Sequence, residues 1–283
     1  MITIKSAAVV GSGTMGQGIA QVIASKGIPI LLYDNRPDAP ETAIINIKAG
    51  LSKLVENGKM NNDQMQSILA NIKPVSNLID VNADIIIEAI VELLEPKQIL
   101  FKELAATNSQ SCIFATNTSS IPVTRIAAGV PNPERVVGMH FFNPAAIMKL
   151  VEVISGAATS KEIATTVFQF AEFLGKTPVY ANDSPGFIVN RVARHYYVEA
   201  LKILEDNVTD LQTIDRQMES LGFKMGPFKL MDLIGVDTNF SVTSAMFQSF
   251  HFDPKFRPSR IQQQKVDAGH FGRKTGKGFY TYE

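Results

Sequence analysis

Short apolar runs alternate with longer amphipathic stretches through the first two-thirds of the chain. Ala7–Val10, Ile28–Leu32, Ala83–Ile87, Cys112–Ala115 and Val136–Met139 are mostly apolar and too short for helices. Runs of this kind predict strands covered on both faces, as in a parallel sheet. Between them Thr14–Lys26, Pro40–Asn57, Asn62–Ala70 and Pro96–Thr107 keep their polar residues on one face at helical spacing. Strand alternating with helix predicts an α/β architecture with a doubly wound, mostly parallel sheet. A strand at Leu150–Ile154, a helix at Lys161–Leu174 and a strand at Thr177–Ala181 continue the pattern. From Ser184 the periodicity is helical alone, over Gly186–Glu205, Leu211–Leu221, Phe228–Ile234 and Phe240–Phe250, with breaks at Asp206-Asn207, Gly226-Pro227 and Asp253-Pro254. The expected division is therefore an α/β domain over 1–182 and a smaller all-α domain over 183–283.

Composition narrows the partners. The chain has 283 residues, 45% of them hydrophobic, enough for one large core or two modest ones. Lys plus Arg and Asp plus Glu both number 27, so no net field draws the whole molecule to nucleic acid or to an anionic membrane. No apolar run approaches the roughly 20 residues of a membrane-spanning helix, and the first residues lack the pattern of an export signal. The single cysteine, Cys112, lies in an apolar run and has no internal partner for a disulfide, which fits a reducing, cytoplasmic compartment. His140, His195, His251 and His270 fall in no zinc spacing, so chemistry without a metal is expected.

Gly11-Ser-Gly13-Thr14-Met15-Gly16 directly follows the first predicted strand and opens the first helix. In that context Gly11 permits a tight turn, Gly13 lets backbone approach a pyrophosphate on the exposed helix N–H groups, and Gly16 lets helix and strand pack closely. Asp34 ends the second strand about 20 residues later, where a carboxylate accepts hydrogen bonds from a ribose diol. A Rossmann-type NAD site follows, with NAD favoured over NADP because Asp repels a 2′-phosphate; Arg36, two residues on, pulls the other way. A glycine-rich surface turn beside a solvated Asp is the plainer alternative.

His140 sits at the end of an apolar run, where ligands of open α/β sheets bind. Oxidation of a secondary alcohol by hydride transfer needs a base for the hydroxyl proton, and imidazole titrates near working pH. Glu152 is a lone carboxylate inside Leu150–Ile154, costly to bury without a partner that His140 could supply. Equally, His140 could cap a loop carbonyl while Glu152 faces water. Ser119, in Asn117-Thr-Ser-Ser120, reads as a holder of a substrate oxygen or as a helix cap before Pro122. Asn190, in Gly186-Phe-Ile-Val-Asn-Arg191, reads as a hydrogen-bond donor to a substrate carbonyl or as a plain helical amide. Lys53 and Lys59 suit a charged ligand tail or solvent.

Taken together, these motifs resemble the L-3-hydroxyacyl-CoA dehydrogenase family, most of all its short bacterial 3-hydroxybutyryl-CoA dehydrogenases. The likeness runs through Gly11–Gly16, Ile87-Glu-Ala-Ile-Val-Glu92, Asn117–Ser120, Gly138-Met-His-Phe-Phe-Asn-Pro144, Met148–Val153, Ser184–Arg191, Met225-Gly-Pro-Phe228 and Gly272–Tyr280, so it covers essentially the whole chain. It implies that His140 is the general base and Glu152 its orienting, charge-balancing partner. It also implies that Ser119 and Asn190 hold the reacting end of an acyl-CoA substrate. Glu92, Lys97, Ser119, Asn143 and Lys274 match positions that contact the nicotinamide nucleotide, and Lys53 matches one that contacts coenzyme A. A homodimer through the helical domain is implied too. The chain departs from the family pattern at Asn57, where bacterial relatives often carry lysine, at His270 in place of tryptophan, and at Ala145-Ala-Ile147 in place of a proline-bearing stretch, so chain-length preference stays open. A dehydrogenase of a free hydroxy acid or sugar acid, and a non-catalytic NAD-binding protein, are the competing readings.

Overall fold

The computed structural model describes residues 4–282 and divides into two compact units, the first ending at Phe187 and the second beginning at Ile188. The first unit runs β1 (Ala7–Val10), α1 (Thr14–Ala24), β2 (Ile30–Tyr33), α2 (Ala39–Glu56), α3 (Asn62–Ala70), β3 (Ile72–Val75), β4 (Ile85–Glu88), α4 (Leu94–Thr107), β5 (Ile113–Thr116), α5 (Val123–Ala127), β6 (Val136–Phe141), β7 (Leu150–Ser155), α6 (Lys161–Phe173) and β8 (Thr177–Asn182). The strands form one sheet in the order β3-β2-β1-β4-β5-β6-β7-β8. Every pairing is parallel except β6 with β7. This is the doubly wound α/β sheet that the alternating pattern predicts.

The apolar strands are apolar because both faces are covered. Ala7 and Val9 of β1 enter one core cluster, while Ala8 and Val10 enter the cluster on the opposite face. Helix α1 closes over the first face with Ile19, Ala20 and Ile23, and α4 over the second with Leu100, Phe101 and Leu104. Both edge strands carry a proline, Pro74 in β3 and Pro178 in β8, which an edge tolerates because one side of the strand needs no donor. Pro74 and Lys73 also hid β3 from the apolar pattern. Helix α5 escaped it because five residues complete barely more than one turn.

The second unit holds α7 (Val189–Glu205), α8 (Leu211–Ser220), α9 (Pro227–Ile234), α10 (Val236–Ser249) and α11 (Arg260–Asp267). Its helices pack Tyr197, Leu201, Ile214, Phe228, Met231 and Val236 into a core of their own. Helix α11 has no apolar stripe and starts at the Ser259 cap, whose hydroxyl accepts from the Ile261 and Gln262 N–H groups. Two buried aspartates hold the end of the chain. Asp215 accepts from the Phe228 and Lys229 N–H groups and from the Tyr280 hydroxyl. Asp232 accepts from the Phe279 and Tyr280 N–H groups and from the Tyr282 hydroxyl. A Cβ on Gly278 would fall 2.0 Å from the Asp232 carboxylate, which accounts for that glycine in the Gly272–Tyr280 motif. Among the described residues no helix is long and apolar enough to cross a membrane.

Candidate active site

The glycine-rich turn is shaped by close approach. Gly11 has φ 99°, and an added Cβ would lie 2.5 Å from the Ala89 carbonyl oxygen, so the exits of β1 and β4 touch where the strand order reverses. A Cβ on Gly16 would fall 1.7 Å from the Gly11 carbonyl oxygen, so helix α1 seats against its strand only with glycine there. Gly13 differs, with nothing within 4 Å of its missing side chain, and it caps α1 without a side-chain hydrogen bond. The first N–H groups of α1 have no helical acceptor and suit an anion. Beside them lies a cleft of about 430 Å³ lined by Ser12, Gly13, Thr14, Gln17, Arg36 and Thr42.

Asp34, one residue past β2, is buried and already engaged. One carboxylate oxygen accepts from the Ser12 N–H at 2.8 Å and the Ser12 hydroxyl at 3.0 Å; the other accepts from the Arg36 N–H at 3.1 Å and its Nε at 3.0 Å. Burial works against its charge, but these hydrogen bonds, Arg36 foremost, outweigh it and pull the carboxyl down to about 2. The acid therefore ties the glycine turn to the end of β2 through Ser12 and Arg36, both of which line the cleft.

The antiparallel step is what brings His140 and Glu152 together. In the β6–β7 ladder His140 stands directly opposite Glu152, so both side chains leave the same face of the sheet. His140 Nδ1 lies 2.7 Å from a Glu152 carboxylate oxygen, with Glu152 fully buried and His140 5% exposed. An ionised carboxylate only accepts, so against such a carboxylate Nδ1 is the donating nitrogen. Phe142 and Phe187 flank the imidazole, ring centroids 4.5 and 5.7 Å away. Phe187 holds a left-handed backbone (φ 48°), uncommon for a bulky side chain. Next to the pair, the Phe141 N–H donates to Asn117 Oδ1 at 2.8 Å, which anchors the end of β6 to the loop after β5. Neither Asn117 nor Phe187 was assigned a task from the sequence; Gly186 ahead of Phe187, with φ 73°, marks the turn that aims it.

A second buried charge cluster holds the Ser119 loop. Lys97, 1% exposed, lies 2.6 Å from Glu88 and 3.2 Å from Glu92. Glu88 also accepts from the Thr116 hydroxyl at 2.6 Å and the Ile90 N–H at 2.7 Å. Glu92 accepts from the Thr118 hydroxyl and from the Ser119 and Ser120 N–H groups at 2.6, 2.8 and 3.0 Å. Burial lifts the Glu88 carboxyl above its usual range despite Lys97. At Glu92 burial acts the same way, but Lys97 and the loop donors prevail and lower it. Glu92, Lys97 and Ser119, scattered in the sequence, are thus one unit, and the immediate partners of Lys97 are two carboxylates of this chain, Glu88 buried and Glu92 partly open to solvent. Sequence spacing left Glu88 unread because it sits in an apolar strand like a core residue.

The remaining candidates lie apart from these clusters or in the second unit. Asn143 is exposed in the β6–β7 connection, and Lys53 is exposed in the last turn of α2. Asn57, one turn later, donates its side-chain amide to the Lys53 carbonyl at 2.7 Å. Asn190 is half-buried in the first turn of α7, and Lys274 pairs with Asp237 at 2.7 Å. Among the described residues no cluster of three or more His, Cys, Asp or Glu is arranged to hold a metal.

The fold and the glycine turn define a dinucleotide-binding oxidoreductase with an appended helical unit. Residues 6–184 match the model of the 3-hydroxyacyl-CoA dehydrogenase NAD-binding domain, and residues 186–282 that of the 3-hydroxyacyl-CoA dehydrogenase C-terminal domain. The chain is 46% identical over its full length to 3-hydroxyadipyl-CoA dehydrogenase of Escherichia coli, of which it spans 60%. It is 42% identical to a probable 3-hydroxybutyryl-CoA dehydrogenase of Bacillus subtilis, covering 99% of this chain and 98% of that one. The crystal structure of a 3-hydroxybutyryl-CoA dehydrogenase from Escherichia coli superposes with a TM-score of 0.96 at 46% identity, over 99% of this chain and 60% of that one. The chain belongs to the 3-hydroxyacyl-CoA dehydrogenase family, a class of NAD-dependent oxidoreductases.

Proposed function

We propose that this chain interconverts (S)-3-hydroxyacyl-CoA and 3-ketoacyl-CoA, with 3-hydroxybutyryl-CoA as its probe substrate and the His140–Glu152 pair as its acid–base centre. The observation that carries this reading is the 2.7 Å contact between Nδ1 of His140 and a fully buried Glu152 on adjacent strands. In the oxidative direction Nε2 of His140 takes the proton of the 3-hydroxyl, and Glu152 stabilises the imidazolium that forms. In the reductive direction the imidazolium returns that proton to the developing alkoxide. The residues at the glycine turn fit NAD: the open N–H groups of Thr14, Met15 and Gly16 suit its pyrophosphate, and Asp34, bonded to Ser12 and Arg36 of the cleft wall, is the proposed acceptor for the ribose hydroxyls. When bound, NAD supplies the hydride acceptor. Ser119, positioned by Glu92, and Asn190 are the proposed holders of the substrate's reacting end; Asn143 and Lys274 are proposed contacts to the nucleotide and Lys53 to coenzyme A.

The relatives carry two acyl groups in their names, butyryl and adipyl, and assay separates these. NADH oxidation is followed with acetoacetyl-CoA, 3-ketoadipyl-CoA, longer 3-ketoacyl-CoA esters and free acetoacetate, alongside NADPH. Turnover of the CoA esters with NADH, and none of free acetoacetate, is expected; turnover of the free acid alone would replace this reading with a hydroxy-acid dehydrogenase. The proposal includes a cytoplasmic homodimer, which light scattering of the eluting protein tests.

A further inference from the structure

Among the described residues that line the cleft beside the glycine turn, Arg36 is the only cation, and it is bonded to the acid proposed for the ribose. Its backbone is fixed first. The Arg36 N–H donates to Asp34 Oδ1 at 3.1 Å, and its carbonyl accepts from the Ala39 N–H at 3.1 Å where α2 begins. From that root the guanidinium reaches back as a fork, with Nε donating to Asp34 Oδ1 at 3.0 Å and Nη2 to Oδ2 at 3.3 Å. The Asp34 side chain is 7% exposed and that of Arg36 69%, so the acid lies covered while the outer edge of the fork is open. Among the described residues Nη1 makes no hydrogen bond.

The charges of the cleft follow from this pairing. Asp34 and Arg36 balance each other, and the one acid on the cleft wall itself, Asp38, is exposed and screened by water. Thr42 and Gln17 of the same wall donate inward, to the Asp38 carbonyl at 2.8 Å and the Ser12 carbonyl at 3.0 Å, which leaves the guanidinium as the outward charged donor. In dinucleotide sites of this kind an acid at the end of the second strand accepts the ribose hydroxyls and repels a 2′-phosphate, whereas a nearby arginine receives that phosphate. Here both residues are present and joined. A 2′-phosphate is carried by one of the hydroxyls that Asp34 would accept, so it arrives beside the groups Asp34 touches. One of these is a guanidinium with a donor to spare, a geometry that suits phosphate.

We propose that Arg36 is the specificity-determining residue of the dinucleotide site: by balancing Asp34 and offering its outer edge to a 2′-phosphate, it admits NADP(H) beside NAD(H). The proposal rests on the assignment of Asp34 to the ribose made above.

The test is calorimetric titration of NADH and of NADPH into wild type, Arg36→Gln, Arg36→Lys, Asp34→Asn and, as an equal change of charge at an exposed position farther along α2, Lys48→Gln. Binding is read directly, without turnover. Wild type binds both coenzymes. Arg36→Gln weakens NADPH about tenfold or more and NADH by less than about threefold. Arg36→Lys keeps part of the NADPH affinity, because an ammonium retains the charge but not the fork, and Lys48→Gln moves neither coenzyme. Asp34→Asn weakens NADH about tenfold and spares NADPH. A ratio of NADPH to NADH affinity that Arg36→Gln leaves unmoved, or no binding of NADPH by wild type, overturns the role of Arg36 alone. NADH binding that Asp34→Asn leaves intact overturns the ribose assignment, and the proposal with it.

Discussion

Glu88 and Glu152 are both carboxylates on inner strands of one sheet, and both are fully buried. They differ in the partner. Glu88 faces the Lys97 ammonium and also accepts from the Thr116 hydroxyl and the Ile90 N–H. Glu152 faces His140, whose imidazole presents a second ring nitrogen away from the carboxylate. A buried acid with a permanent counter-charge is a fastener, here for the loop that carries Ser119. A buried acid beside an imidazole is placed to stabilise the imidazolium, the task the proposed reaction gives Glu152.

Substitutions pull the two pairs apart, beginning with the largest effect. His140→Gln lowers turnover about 10²- to 10⁴-fold and leaves NAD affinity unchanged, measured by steady-state kinetics beside fluorescence titration; near-normal turnover would remove His140 as the base. Lys97→Met leaves Glu88 and Glu92 without their cation, and loses about 3–5 kcal/mol of stability in urea unfolding. Its pH–rate profile stays put, because His140 is untouched. Glu152→Gln keeps the volume, loses less turnover than His140→Gln, and moves the acidic limb of hydroxyl oxidation to lower pH, since the imidazolium no longer faces an anion. A wild-type profile in that variant would reduce Glu152 to a fastener like Glu88.

Asp34 gives the smallest effect. Its carboxyl titrates near 2 in the folded chain against the ordinary 3.8, so the stability it contributes is complete above 3.8 and is lost as pH falls toward 2. Between pH 5 and 9 Asp34→Asn should therefore shift the unfolding midpoint by a constant amount. A shift that varies across this range would place the titration on another group.

Much of this was readable along the chain because it depends on local periodicity and on backbone that side chains forbid. Ala7–Val10 is continuous apolar sequence because both faces of β1 are covered, and Gly11 and Gly16 are glycine because a Cβ would strike the Ala89 or Gly11 carbonyl. The order of strands and helices follows from such signals, and so does the helical second unit. Short or polar elements did not register: β3 with its Pro74, the five-residue α5, and α11, whose single buried residue is Gln262. Glu92 and Lys97 were recognised by resemblance, but their tie to Glu88 and to the Ser119 loop was not.

Pairing across strands lay outside what one-dimensional pattern carries. Apolar runs state that β6 and β7 are buried, yet not that they run antiparallel, and that direction alone sets His140 against Glu152 instead of a step away. The same holds for Lys97 between two carboxylates. Secondary structure follows from neighbours a few residues apart, whereas an ion pair depends on which distant segments the sheet brings side by side, and burial then makes those few contacts strong.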